Sequence, residues 1–151
     1  MLQYNPLQYF PTAEELPDSD DTPVDNELQN LVPNLLLSIL ALIWQERMDW
    51  FFGVNMGVYY EVGKPAIVPD GFLSLGVPRR KRSRGRLSYV IWQEQVVPQL
   101  VLEIVSQTPG GEYDNKINKY ADIGVLYYVI YNPDYTRRDK HDSFEVYRLT
   151  N

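Results

Sequence analysis

The sequence predicts an α/β protein in which helices flank a mixed β-sheet. A run of apolar residues at helical spacing begins at Leu28. Residues 71–75, 100–105 and 126–131 are short apolar runs of the kind that form buried strands. An amphipathic segment from about Glu112 to Ile123 separates the last two runs. A helix, strands, a second helix and further strands in this order are typical of a sheet that carries helices on its faces.

Composition limits the classes of function. The 151 residues are 44% hydrophobic and 23% charged, which is typical of one soluble globular domain. No apolar run is long enough to span a bilayer, and residues 1–6 lack a basic start and an apolar signal core, so we expect a cytoplasmic protein. The absence of cysteine excludes disulfides, thiol nucleophiles and thiolate zinc sites. The one histidine, His141, lies in a polar stretch, so histidine acid–base catalysis is not expected.

Residues 1–27 are predicted to be a flexible acidic tail. They contain four prolines and seven acidic residues but no lysine or arginine. An arm that binds a partner is the alternative interpretation. The folded domain is therefore expected to span residues 28–151. No closing element follows the last strand, which leaves a truncated C-terminus and a terminal edge strand as alternatives.

The first helix follows from apolar residues at i, i+3, i+4 and i+7 spacing, namely Leu28, Leu31, Val32, Leu35, Leu36, Ile39, Leu40 and Ile43. Proline is tolerated in a first turn, so the regular helix is expected to begin near Pro33 and to end near Arg47. Leu37 and Leu42 widen the apolar face, which predicts a helix covered on more than one side. Glu46 is expected to project from the same face, and a helix end that reaches water is favoured over a carboxylate near an active site.

Strands are predicted where aromatic and β-branched residues lie between turn residues. The predicted strand segments are 50–62 with a glycine turn inside it, 71–75, 87–92, 99–105, 126–131 and 144–149. The second helix is expected to end at Gly124, because glycine adopts the left-handed conformation of a helix C-cap without strain.

Glu103 is a charged residue inside the apolar run 100–105. A buried carboxylate costs several kcal/mol, by order of magnitude, unless it is paired or binds a metal. Asp70 lies at the mouth of the strand at 71–75, and side chains on neighbouring strands approach to about 5 Å. Two carboxylates at that distance repel unless a cation or a proton lies between them. Oxygen ligands of this kind suit Mg²⁺ or Mn²⁺, so Asp70 and Glu103 are the candidate metal ligands.

Helical geometry selects Lys116 as the third member of the site. The apolar stripe of the second helix is Tyr113, Ile117, Tyr120 and Ala121. Lys116 lies about 80° from the centre of this stripe and Lys119 about 140°, so we expect Lys116 to reach inward, while Lys119 and Asp122 are solvated. Beside a metal that binds a substrate phosphate, Lys116 would orient the water that attacks the phosphate. A structural salt bridge between Glu103 and Lys116 would give the same sequence, so spacing alone leaves both interpretations open.

Positive charge is concentrated in residues 79–86, which hold six of the 14 basic residues. The rest of the chain has a net charge of −12 and would repel nucleic acid. This segment would therefore attract nucleic acid, and if the protein is a nuclease it is the expected contact with DNA phosphates, next to the metal site. A solvated loop is the alternative interpretation.

The ordered set of motifs resembles the Uma-two family of endonucleases, in the PD-(D/E)XK, restriction endonuclease-like superfamily. The resemblance covers about residues 28–150 and is carried by Pro69-Asp70, residues 102–106, Asp114, Lys116, Tyr120 and residues 124–133. It implies a core of helix, three strands, helix and strand, with Asp70 and Glu103 as Mg²⁺ ligands in DNA cleavage.

The sequence departs from the superfamily pattern at Val105, where the pattern places a lysine two residues after the glutamate. The resemblance implies that the lysine has moved to the following helix, at Lys116, which helical geometry also selects. Glu46 would correspond to the superfamily's first-helix glutamate. The alternative function is a catalytically inactive scaffold or dimerisation module, with a homodimer as one form, in which the many tyrosines and the aromatic run from Trp50 to Tyr60 could serve as the interface.

Overall fold

The computed structural model describes residues 8–19, 26–81 and 85–150. Its elements are α1 (Leu28–Ile43), β1 (Trp50–Val54), β2 (Val58–Tyr59), β3 (Gly71–Leu75), β4 (Tyr89–Val90), α2 (Ile91–Glu94), β5 (Leu100–Ile104), α3 (Asn115–Ile123), β6 (Tyr127–Tyr131), α4 (Thr136–Asp139) and β7 (Phe144–Arg148). A five-stranded sheet has the order β1-β3-β5-β6-β7, in which β5 and β6 are parallel and the other pairs antiparallel. The predicted mixed sheet flanked by helices is confirmed. No helix in the described ranges is long and apolar enough to cross a membrane.

Both faces of the sheet are covered at its centre, which explains why β5 is apolar at almost every position. On one face, called the α1 face, Leu102, Ile104 and Val129 form a buried cluster. Leu28, Val32 and Leu36 of α1 pack on this cluster. On the opposite face, called the cleft face, the larger core contains Phe72, Tyr89, Val101, Tyr120 and Tyr128, so α3 and the β2–β4 pair cover that face.

The predicted boundaries of α1 are wrong, because the helix begins five residues before Pro33 and ends at Ile43 rather than near Arg47. Asn26 allows the early start, since its side-chain oxygen accepts hydrogen bonds from the backbone N–H groups of Leu28 (2.9 Å) and Gln29 (3.2 Å). A proline at the sixth position leaves the carbonyl of Gln29 without its helical donor. Asn55 replaces that donor through its side-chain amide at 3.3 Å.

Two strand predictions also differ in detail from the structure. The predicted segment 50–62 does not form a hairpin, because β1 pairs with β3 while β2 pairs with β4 in a separate parallel pair. Asn55, with a φ of 47°, redirects the chain between them. The predicted strand at 87–92 becomes the two-residue β4 followed by the short helix α2. The predicted C-cap at Gly124 is confirmed, with a φ of 103°.

Candidate metal and catalytic site

The strand register brings the two predicted carboxylates together. Gly71 pairs with Leu102 at the start of β3, so one residue further out Asp70 lies opposite Glu103. Asp70 is 7% exposed and Glu103 is 2% exposed. The backbone N–H of Ile104 donates to Asp70 Oδ2 at 2.7 Å, which fixes this carboxylate against the end of β5.

Helix α3 supplies two donors to Glu103. Lys116 Nζ donates to Glu103 Oε2 at 2.8 Å, and the hydroxyl of Tyr120 donates to Oε1 at 2.5 Å. Lys116 and Tyr120 are four residues apart, so one helical turn presents both side chains to the same carboxylate. The structure therefore places Asp70, Glu103 and Lys116 together, as the sequence predicts, and their catalytic roles stay a prediction.

The electrostatics of these side chains are strongly perturbed. Burial, followed by the charge of Glu103, raises the pKa of Asp70 to about 7. Burial raises the pKa of Glu103 as well, against the opposing effects of Lys116 and Tyr120. Although burial acts in the opposite direction, the charge of Glu103 and its hydrogen bond raise the pKa of Lys116, so the lysine remains protonated. Burial and the charge of Glu103 raise the pKa of Tyr120 well above its usual value, which keeps its hydroxyl a donor.

Asp70, Glu103 and Lys116 line a cleft of about 810 Å³. The other walls come from four parts of the chain: Gln29 in α1, residues 55–68, the loop at 106–112 and residues 16–19 near the N-terminus. Asp70, Glu103 and Lys116 lie on the wall formed by the sheet and α3. A substrate in the cleft would therefore face both buried carboxylates and the amine of Lys116.

Glu112 is a site residue that sequence reasoning missed. It is 6% exposed, lines the cleft, and its Oε2 accepts a hydrogen bond from the backbone N–H of Gly110 at 3.0 Å. Its carbonyl accepts a hydrogen bond from the buried hydroxyl of Tyr128 at 2.8 Å. The charge of Glu112 contributes to the raised pKa of both Asp70 and Glu103. Glu112 lies in the turn before α3, which begins at Asn115 rather than at the predicted Glu112, so helical periodicity gave no signal for its position.

The three carboxylates and one lysine carry a formal charge of −2 when all are ionised, which equals the charge that one divalent cation would neutralise. Within the described ranges, no group of three or more carboxylate or imidazole side chains is arranged to hold a metal ion. The residues fit Mg²⁺ or Mn²⁺ as a two-carboxylate site, because Mg²⁺ characteristically keeps several waters and takes substrate phosphate as a ligand. A cation bound at Glu103 Oε2 would compete with Lys116 for that oxygen.

Glu46 does not belong to the site. It is exposed in the turn after α1 and does not line the cleft, because the helix ends before reaching it. The α1 residue that lines the cleft is Gln29. Lys119 is half-buried rather than solvated, so that prediction is wrong: it donates to the hydroxyl of Tyr60 at 2.5 Å and lies 4.4 Å from the ring centroid. Asp122 is exposed, as predicted.

The basic segment 79–86 does not border the cleft in its described part, residues 79–81 and 85–86. It follows the end of β3, whereas Asp70 precedes the start of β3, about 16 Å away along the strand. Lys81 and Arg86 both form ion pairs with Glu94 at 2.9 Å. Arg79 lies 4.1 Å from the ring centroid of Trp50. The expected position next to the metal site is therefore wrong for these residues, and positions 82–84 lie outside the described ranges.

Residues 8–19, called the arm, are attached to the domain and form part of the cleft wall. Trp92 donates its indole N–H to the carbonyl of Pro11 at 2.8 Å, and the hydroxyl of Tyr59 donates to the carbonyl of Pro17 at 2.5 Å. The backbone N–H of Ala13 donates to the side chain of Gln93 at 3.0 Å. The prediction of a flexible tail did not include these contacts, and residues 1–7 and 20–25 lie outside the described ranges.

Comparisons with known proteins identify the family and the fold. The family model Uma2, described as "Putative restriction endonuclease", matches residues 19–151. No curated protein matches the chain. Among solved structures, the chain is similar to "a putative nuclease belonging to DUF820" from Anabaena variabilis ATCC 29413, with a TM-score of 0.62 and 15% sequence identity. The match covers 93% of this chain and 80% of that one, and at this identity it shows a shared fold.

Proposed function

Because the chain belongs to the Uma2 family of restriction endonuclease-like proteins, we propose that it is a Mg²⁺- or Mn²⁺-dependent endonuclease that hydrolyses DNA phosphodiester bonds. The observation that supports this proposal most directly is the pairing of Asp70 with Glu103 in one cleft, with Lys116 hydrogen-bonded to Glu103. Two buried carboxylates with raised pKa values are costly for the fold, and such sites are concentrated at functional positions.

Asp70 and Glu103 would hold the metal ion. The ion would supply Lewis-acid stabilisation of charge on a phosphoryl oxygen and would lower the pKa of a bound water. The backbone N–H of Ile104 fixes Asp70, and the hydroxyl of Tyr120 fixes Glu103, so both carboxylates are oriented before substrate enters. Lys116, once displaced from Glu103, would orient the attacking water and offset negative charge in the transition state.

Plasmid nicking tests this proposal. We expect the protein to nick supercoiled DNA in Mg²⁺, and Asp70→Ala, Glu103→Ala and Lys116→Ala to abolish the activity. Asp122→Asn is the matched control, because Asp122 is an exposed acid on the same helix as Lys116. Full activity in either carboxylate variant would refute the assignment of the metal ligands.

An inactive scaffold is the second candidate function. It is favoured by the ion pair between Glu103 and Lys116, which satisfies the buried carboxylate through protein groups alone. Most of the aromatic run first expected to form the interface of such a module is buried, because Trp50, Phe52 and Tyr59 are at most 5% exposed and Phe51 and Tyr60 are half-buried.

Metal titration separates the two candidates. A site that binds Mg²⁺ or Mn²⁺ in the folded state raises the melting temperature in proportion to the logarithm of metal concentration at saturation. We expect such a rise in the native protein and its loss in Glu103→Gln. The absence of any rise would favour the scaffold.

A further inference from the structure

The cleft is small for a DNA duplex. Its volume of about 810 Å³ lies in the range of pockets that enclose a molecule of drug size. A nucleotide is a molecule of that size, so the cleft has room for about two nucleotides of one strand. Both candidate metal ligands lie deep in the cleft, because Asp70 is 7% exposed and Glu103 is 2% exposed. A phosphate must therefore enter the cleft to reach them.

The stiffness of DNA decides which form can enter. A duplex is stiff over about 150 base pairs, so it does not bend into a depression about two nucleotides long. An unpaired strand is flexible and can follow a narrow channel, as it does in proteins that bind single strands. A duplex could reach the carboxylates only if base pairs opened or if one wall of the cleft moved away.

The arm, residues 8–19, is the wall best suited to move. Its residues 16–19 line the cleft, and no helix or strand forms within it. The hydrogen bonds from Trp92 and Tyr59 hold the arm through its backbone carbonyls, at Pro11 and Pro17. Residues 8–18 also precede the region that the family model matches, residues 19–151. Displacement of the arm would therefore break no strand pairing of the sheet.

The charge of the cleft also disfavours a duplex. Among the described residues that line it, the charged ones are Asp18, Asp70, Glu103, Glu112, Lys64 and Lys116. Their formal charge is −2 when all are ionised, so one divalent cation would neutralise the cleft without making it positive. A duplex carries one negative charge per about 1.7 Å of its axis and a single strand one per about 3.4 Å, so the duplex is repelled more strongly. The arm adds to this repulsion, because it contributes Asp18 and contains no lysine or arginine.

We propose that the arm restricts the site to unpaired DNA strands, by closing one side of the cleft and by placing the charge of Asp18 in its wall. This inference rests on the proposed nuclease function and names the form of DNA that the site accepts. A duplex would have to open about two base pairs to enter. Stacking of each step is worth about a factor of ten, so duplex cleavage should be about a hundredfold slower than cleavage of the free strand.

Matched substrates test this preference. They are one oligonucleotide as a free strand, the same oligonucleotide in a full duplex, and a duplex with a central stretch of mismatched pairs. In Mg²⁺ we expect the native protein to cleave the free strand about a hundredfold faster than the full duplex, and to cut the third substrate within its mismatched stretch. Binding in Ca²⁺, measured by fluorescence anisotropy, should show the same order. Equal cleavage of free strand and full duplex would overturn this inference and leave the nuclease assignment intact, whereas no cleavage of any substrate would overturn both.

Loss of the arm's anchors tests the role of the arm in the whole chain. Trp92→Phe combined with Gln93→Ala removes two side-chain partners of the arm's backbone. This variant should cleave the full duplex about tenfold faster than native protein, the equivalent of one base-pair step, with the free-strand rate unchanged. Trp44→Phe combined with Gln45→Ala is the matched control, because this pair follows α1 and is not among the described residues that line the cleft. A native strand-to-duplex ratio in the anchor variant would overturn the proposal.

The charge of the arm is tested by Asp18→Asn. This variant should cleave the full duplex about two- to threefold faster than native protein at low salt, which is the effect of one unit charge at about 8 Å in water. The gain should disappear near 1 M salt, where charges are screened beyond about 3 Å. Glu14→Gln is the matched control, because Glu14 is an exposed acid of the arm outside the described cleft lining. If Asp18→Asn gives no greater gain than Glu14→Gln, the electrostatic part of the proposal is overturned.

Discussion

Replacing Asp70 with asparagine is expected to stabilise the protein at alkaline pH in the absence of divalent metal. The pKa of Asp70 is raised from an ordinary value of 3.8 to about 7 by burial and by the charge of Glu103. Asparagine has nearly the same shape and cannot ionise. Its side-chain oxygen can still accept the hydrogen bond from the N–H of Ile104. The substitution therefore removes the charge and keeps the contact.

The magnitude follows from the shift in pKa. A shift of about three units at 1.36 kcal/mol per unit corresponds to roughly 4 kcal/mol. The folded state favours the protonated carboxyl of Asp70. Its contribution to the free energy of unfolding is therefore fully present below about pH 4 and is lost as pH rises through about 7. Between pH 4 and pH 8, ionisation of Asp70 should therefore lower the free energy of unfolding of the native protein by an amount on the order of 4 kcal/mol, whereas Asp70→Asn has no such term.

The assay is urea unfolding of both proteins from pH 4 to pH 8 in EDTA. The difference in unfolding free energy between them should be near zero at pH 4, should grow in favour of Asp70→Asn as pH rises to about 7, and should level off above that pH. Asp122→Asn, at an exposed site, should follow the native curve. If Asp70 holds the metal as proposed, saturating Mg²⁺ should reduce or reverse this difference at pH 8, because the ion would stabilise mainly the protein that retains the Asp70 carboxylate. If Asp70→Asn is less stable than native protein at pH 8 in EDTA, the argument that Asp70 is strained is refuted.

Three further predictions concern the surroundings of the same cleft. Lys116→Ala should destabilise the protein by about 3–5 kcal/mol in urea unfolding, because it leaves Glu103 buried without its counter-ion, and an unchanged midpoint would contradict the ion pair. Glu112→Gln should lower the pKa of Asp70 by removing a nearby negative charge, seen as a shift to lower pH in the stability curve described above; a shift to higher pH would count against it. Trp92→Phe should make the arm more sensitive to limited proteolysis with little change in global stability, because it removes the indole donor that anchors the arm; equal cleavage rates would show that this bond does not hold the arm.

The central geometry of the site could be predicted because it depends on regular structure. A charge in an otherwise apolar strand identifies Glu103, and an antiparallel register places Asp70 opposite it. A helix has one angular position for each residue, so Lys116 could be distinguished from Lys119 by its phase alone. The donation from Lys116 to Glu103 at 2.8 Å agrees with that reasoning.

The features that sequence reasoning missed depend on contacts between residues far apart in the chain. The start of α1 before Pro33 is possible because Asn55, 26 residues after Gln29, supplies the missing donor. Glu112 belongs to an irregular loop, and its burial results from Gly110 and from Tyr128 in β6. Neither periodicity nor residue type reports such contacts.

Sequence reasoning also missed the contacts made by the charged residues of the basic segment 79–86. Six basic residues in eight positions indicate a nucleic-acid contact when only the sequence is considered. In the structure, part of that charge forms ion pairs within the protein instead. The side chain of Arg86 is 3% exposed, and its pairing with Glu94, together with that of Lys81, lowers the pKa of this carboxyl against the effect of burial. Charge density in a sequence predicts phosphate binding only where the charges are not already neutralised by the protein.

The position of the catalytic lysine candidate can be explained by the burial of its alternative. Position 105, two residues after Glu103, holds a valine that is 1% exposed and belongs to the core of the cleft face. A lysine there would have to lose its hydration within that core, at a cost of several kcal/mol by order of magnitude. Lys116 approaches from α3 with its side chain 29% exposed, so it keeps part of its hydration and still donates to Glu103. An amine on a helix at the edge of the cleft could leave Glu103 for the proposed phosphate substrate without disturbing the sheet. Under the proposed function, the same carboxylate oxygen would then alternate between lysine and metal.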